Sequence, residues 1–67
     1  MNEVKPKITL REVRARFNLT QAELGEKLGV SKQTVNSWEN GYTMIPSKKL
    51  IIIYQLFGIR ASDLLGA

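Results

Sequence analysis

The sequence predicts a compact all-α domain of five short helices, and three observations carry that prediction. Apolar residues recur at helical spacing, as in Leu24 with Leu28 and Val35 with Trp38, so each segment has one apolar and one polar face. Two Thr-x-x-Glu boxes, Thr9 to Glu12 and Thr20 to Glu23, mark helix starts. Only Gly29, Val30 and Ser31 separate the second helical pattern from the third. So short a connection makes the third helix leave at a steep angle, with Gly29 free to take the left-handed conformation that ends the second. The result is helix-turn-helix geometry between Leu19 and Gly41.

In chain order, residues 1–7 are polar, hold Pro6 and lack periodicity, which predicts a flexible arm whose lysines are within reach of phosphates. The domain spans residues 8–67. Helix 1 starts at the Thr9 box with Ile8 and Val13 as a hydrophobic staple, turns Leu10, Val13 and Phe17 inward, and stops at Asn18. Helix 2 covers Gln21 to Leu28, with Leu19 and Leu24 as its staple. Helix 3 covers Lys32 to Asn40, starts at Ser31 and stops before Gly41. Tyr42 to Ile45 is a loop, after which Pro46 and Ser47 open helix 4, which runs to Gly58. Its run Leu50-Ile51-Ile52-Ile53-Tyr54 has strand-like composition, but a lone strand would leave its backbone groups unpaired, so helix is expected. On the helical wheel Leu50, Ile53, Tyr54 and Phe57 face the core, leaving Ile51 and Ile52 off it. A fifth helix, about Ala61 to Leu65, buries Leu64.

Composition excludes several classes of function. At 67 residues the chain is one domain, near the lower size at which burying about 60% of the unfolded surface suffices for folding. Without Cys or His, no disulfide, thiol chemistry or zinc site is expected. The longest apolar run is far short of the ~20 residues of a membrane span, and the start MNEVKPK is not a signal peptide. The expected location is the bacterial cytoplasm, with no membrane partner. No Gly-rich phosphate loop is present and Glu12 and Glu23 serve as caps, so no catalytic residue and no cofactor is assigned. Ten basic residues against six acidic ones give a net charge of +4 and favour a polyanionic partner, although a solvated basic surface has the same balance.

The stretch LTQAELGEKLGVSKQTVNSWENG resembles the helix-turn-helix of the lambda repressor and Cro family, also called the XRE family. The matching residues are Gln21, Glu23, Leu24, Gly29, Val30, Ser31, Val35, Glu39, Asn40 and Gly41, with Leu28 and Trp38 at apolar positions. Arg14, Pro46, Leu50, Ile53, Phe57, Gly58 and Leu64 continue the frame, so the resemblance covers roughly residues 8 to 66. It implies a five-helix lambda-repressor-like domain in which Arg14 pairs with Glu39. Two positions depart from the family: Gly25 replaces the usual Ala, and Tyr54 a small residue, which suggests an exchange of volume across a Gly25–Tyr54 contact. Arg60 stands where Ser or Thr usually caps the last helix.

By the same resemblance the base-reading residues are Lys32, Gln33, Asn36 and Ser37, on the side of helix 3 opposite Val35 and Trp38. Lys suits guanine O6/N7 and Gln or Asn suits adenine N6/N7 in the major groove. The resemblance adds Gln21 and Asn40 as phosphate contacts. Independently of it, Lys32, Lys48 and Lys49 lie in first helical turns, where the macrodipole disfavours cations unless an anion arrives. Ser31, Tyr42 and Thr43 complete the phosphate set. The expected protein is a regulator binding a double-stranded DNA operator as a homodimer, with Ile51, Ile52 and Leu65 as its candidate dimer interface. The alternative is an antitoxin-type DNA binder that also holds a protein partner.

Overall fold

The computed structural model describes residues 7–64. Four α-helices follow one another: α1 (Leu10–Phe17), α2 (Gln21–Leu28), α3 (Lys32–Glu39) and α4 (Ser47–Phe57). The first three begin at side-chain caps. Thr9 and Thr20 accept from the N–H groups of Glu12 and Glu23, whose carboxylates return the bond to the Thr backbone, and Ser31 accepts from Thr34 N–H. At Glu12 the backbone N–H of Thr9, followed by its hydroxyl, holds the carboxyl below the ordinary carboxylate range. Asn18 ends α1 at φ 61°, in the left-handed region that Asn tolerates best after Gly, and Gly29 ends α2 at φ 73°. Among the described residues no helix is long and apolar enough to cross a membrane, and no cluster of acidic side chains is arranged to hold a metal.

The fifth helix is not present in the described part of the chain: Ala61–Asp63 forms a single 3-10 turn. Arg60 provides no side-chain cap for a longer helix. Leu64 is already extended, and pairs with Ile8 in an isolated parallel bridge while Ile8 N–H donates to Asp63 carbonyl at 2.8 Å. The two ends of the described residues are thereby joined. The expected arm lies outside the described residues except for exposed Lys7, and so does Leu65.

The core consists of Ile8, Leu10, Val13, Leu24, Leu28, Val35, Trp38, Ile45, Ile53 and Leu64. Phe17 is 43% exposed, yet its ring meets Phe57 with centroids 4.8 Å apart. In α4 the expected inward face needs correcting. Ile52 packs against the core, whereas Tyr54, on the opposite flank of Ile53, is 53% exposed. The reason is the way α4 leans on α2: Lys49, on the Ile52 flank, brings its Nζ to 3.5 Å from where a Cβ on Gly29 would stand. For the suggested Gly25–Tyr54 exchange the structure offers a different neighbour at Gly25. A Cβ on Gly25 would meet Val30 carbonyl oxygen at 2.6 Å, so Gly25 makes room for the backbone of the turn.

A buried ion pair joins α1 to α3. Arg14 on α1 donates from Nε and, at 3.1 Å, from Nη2 to the carboxylate of Glu39 on α3, while its Nη1 donates to Leu19 carbonyl at 3.1 Å. The Glu39 side chain is wholly shielded from solvent and that of Arg14 is 18% exposed. Burial alone would raise the Glu39 pKa, but hydrogen bonds from Arg14 and Gln21, with the charges of Arg14 and Arg11, hold it below its ordinary 4.5. The Glu39 hydrogen bond in turn raises Arg14.

Because removing one partner strands a buried charge, Arg14→Met should cost about 3–5 kcal/mol in urea denaturation at neutral pH. A domain of this size is stable by only about 3–10 kcal/mol, so the variant should be marginal. Its pH dependence carries the sign of the effect. In the wild type the Glu39 contribution is present above the ordinary carboxylate pKa and is lost as pH falls through the depressed folded value. In Arg14→Met, protonating Glu39 removes the stranded charge, so the stability gap should narrow as the pH falls toward about 4. A gap independent of pH would show that packing, not charge, is what Arg14 supplies.

Candidate nucleic-acid interface

The turn between α2 and α3 is held tightly: Val30 N–H donates to Gly25 carbonyl at 2.9 Å, and the missing Cβ of Gly25 lets the Val30 and Ser31 backbone approach. Val35 and Trp38 anchor α3 from below, at 0% and 6% exposure, so the far side of the helix is left to solvent. That side carries Lys32, Gln33, Asn36 and Asn40, all exposed, with Ser37 half-buried beside them. The four side chains expected to meet bases, Lys32, Gln33, Asn36 and Ser37, thus share one face of α3, Ser37 at its margin. Asn40 closes the helix as its C-cap, followed by Gly41 at φ 75°.

Side-chain amides stitch this face to the ion pair. Gln21 Nε2 donates to Glu39 Oε1 at 3.0 Å and to Asn36 Oδ1 at 3.1 Å. Asn40 Nδ2 donates to the Asn36 carbonyl at 2.9 Å and to Asn36 Oδ1 at 3.1 Å. Gln21 and Asn40 therefore already spend their amide hydrogens within the domain. Ser31 is similarly engaged, its hydroxyl capping Thr34 and lying 3.0 Å from the Thr34 hydroxyl.

The remaining members of the phosphate set lie farther along the chain. Tyr42, Thr43 and Lys48 are exposed, Tyr42 at 75%. Pro46 supplies no side-chain cap to α4, so the first-turn N–H groups beside Lys48 lack the cap that α1, α2 and α3 possess. An anion placed there meets both backbone donors and an ammonium group. Lys49 is half-buried with its ammonium over Gly29, at the carboxyl end of α2. A cation is favoured at that end of α2, which offsets its unfavourable place in the first turn of α4.

Two features escaped the sequence reading. Arg11 Nε comes within 3.6 Å of Glu39 Oε1 from a 65% exposed side chain, a third element of the charge cluster. Its three-residue spacing from Arg14, which puts both on one side of α1, was the available signal. Gln21 as the bridge between Glu39 and Asn36 had no local signal, because the link depends on the angle between α2 and α3.

The helix-turn-helix family profile matches residues 10–64. An uncharacterized HTH-type transcriptional regulator of Methanocaldococcus jannaschii is 45% identical over 56 residues, covering 82% of this chain and 83% of the relative. Another from Bacillus subtilis strain 168, YgzD, is 40% identical over 55 residues, covering 81% of this chain and 82% of the relative. A putative HTH-type transcriptional regulatory protein of Methanothermobacter thermautotrophicus is 35% identical over 52 residues, and there the chain spans only 17% of the relative. No solved structure matches significantly. With a match across nearly all of its described residues, the chain belongs to the XRE-type helix-turn-helix family, a non-enzymatic family of DNA-binding transcriptional regulators.

Proposed function

We propose that this protein is a sequence-specific regulator of the repressor or Cro kind, which occupies a two-fold operator through the major groove as a homodimer. The observation that carries this reading is the exposed face of α3, bearing Lys32, Gln33 and Asn36 and braced from behind by the Glu39 ion pair. A helix of this width fits the major groove, where Lys meets guanine O6/N7 and Gln meets adenine N6/N7. Ser37 at the margin completes the base-facing set. Gln21, Ser31 and Asn40 flank the groove, and Tyr42, Thr43 and Lys48 extend the phosphate contacts, with Lys49 behind them at the carboxyl end of α2. Blocking a promoter in this way needs no chemistry, and its setting is the cytoplasm, at the nucleoid.

One recognition helix reads about half a site, so a second copy supplies the rest. Of the candidate interface residues Ile51, Ile52 and Leu65, this reading centres the contact on Ile51. Ile52 belongs to the domain's own packing and Leu65 lies outside the described residues, whereas Ile51 is 57% exposed beside Tyr54 in a shallow apolar groove with Leu50, Arg60 and Ala61. The same groove favours the second reading, an antitoxin-type protein whose partner is a toxin rather than another copy.

Gln33→Ala should cost about 1–3 kcal/mol per half-site on the operator recovered by selection from random DNA, and leave binding to unrelated DNA nearly unchanged. An unaltered ratio of operator to random affinity would put the reading face elsewhere. Lys48→Ala should weaken binding to every sequence alike and reduce the slope of log affinity against log salt by about one unit. Ile51→Lys, at an exposed site, should leave thermal stability intact but convert two protomers per operator into one in a stoichiometric titration. Two protomers retained would remove Ile51 from the interface.

A further inference from the structure

We infer that Asn36 meets DNA as a hydrogen-bond donor only, and therefore selects guanine and rejects adenine at the base it faces. The inference rests on the DNA-binding reading above and makes the chemistry of one of its contacts specific. Two unambiguous acceptors set the polarity of the amide chain around Asn36. The Glu39 carboxylate accepts only, so the end of Gln21 that touches it at 3.0 Å is the amide nitrogen. The same nitrogen is 3.1 Å from the Asn36 side chain, which must present its oxygen there. From the other side, the Asn36 backbone carbonyl also accepts only, so the end of Asn40 at 2.9 Å is again nitrogen. That nitrogen lies 3.1 Å from the same Asn36 oxygen.

The two routes agree, and together they fill both lone pairs of Asn36 Oδ1. What Asn36, exposed on the reading face, has left to offer is its NH₂ group. An asparagine free to turn would pair with adenine by accepting from N6 and donating to N7. Here the acceptor half of that pairing is occupied, and the adenine N6 amino group would face another amino group. Guanine presents two acceptors, O6 and N7, to the same NH₂, and thymine presents one, O4; cytosine presents none. Gln21 and Asn40 are thus positioning residues for specificity, acting through Asn36, and the chain of bonds links the base read by α3 to the buried Glu39.

The test begins with selection from random DNA for wild type and Asn36→Ala, which locates the base whose preference depends on Asn36. Operators carrying each of the four bases at that position are then compared by equilibrium binding, as ratios within one protein preparation so that the folded fraction cancels. Wild type should favour guanine over adenine by about 10-fold or more, with thymine between them. Asn36→Ala should reduce the range among the four bases to about twofold. Asn36→Asp keeps an oxygen for Gln21 and Asn40 and turns an acceptor outward, so its preference should move to cytosine or adenine, which offer amino donors. Adenine as the preferred base of the wild type, or a preference untouched by Asn36→Ala, would overturn the inference and leave DNA reading by α3 standing. Failure of the wild type to prefer any sequence over random DNA would overturn both.

Discussion

The Glu39 carboxylate lies on α3 and accepts hydrogen bonds from Arg14 on α1 and Gln21 on α2, so a single buried anion ties three helices at one point. Its location is what makes it matter. A carboxylate removed from water is costly unless its lone pairs are met, and here the guanidinium fork and an amide meet them, with Arg11 adding charge at longer range. The hydrophobic core beneath, with Val35 and Trp38 at its roof, fixes the depth of α3, but apolar packing tolerates small rotations about a helix axis. The directional bonds at Glu39 do not. They fix how α3 is turned, and so which of its polar residues point away from the domain.

That constraint explains why residues with separate local roles form one unit. Gln21 is the first residue of α2 and Asn40 the C-cap of α3, positions whose roles are usually confined to their own helix ends. Here both also donate to Asn36, and Gln21 adds the bond to Glu39. The polar face of α3 is consequently not a set of free side chains. Lys32 and Gln33, near its N-terminus, lie outside the amide chain, while Asn36 is held within it, so adaptability falls along the helix from its first turn to its last.

Much of this fold was legible in the sequence because capping is local. Thr9 with Glu12 and Thr20 with Glu23 are each close enough along the chain to be read as boxes, and Asn18 and Gly29 mark the ends that positive φ requires. Illegible features are those set by the direction in which one helix leans on another. Ile52 and Tyr54 flank Ile53 on opposite sides, and which one is covered depends on how α4 leans against the rest of the domain. The expected fifth helix is a further case: among the described residues a single 3-10 turn precedes Leu64, which pairs with Ile8. At the candidate site the resemblance pointed to Arg14 and Glu39, and the four-residue spacing of Asn36 and Asn40 was open to inspection. The Gln21 bridge was not, since nothing in the local sequence of either helix fixes the angle between them.

If Glu39 sets the rotation of α3, its effect on sequence discrimination should exceed anything explained by lost stability. The most direct measurement is the ratio of operator to random-DNA affinity for Glu39→Gln, a variant of nearly unchanged shape whose amide has one acceptor oxygen where the carboxylate has two, so that its NH₂ must face either Arg14 Nε or the Arg14 Nη2 and Gln21 Nε2 donors. The ratio should fall by about 10-fold or more in the folded protein, because a misturned helix loses base contacts before it loses phosphate contacts. A ratio equal to that of the wild type, with helical content unchanged by circular dichroism, would mean that the core alone orients α3 and that the ion pair contributes only stability.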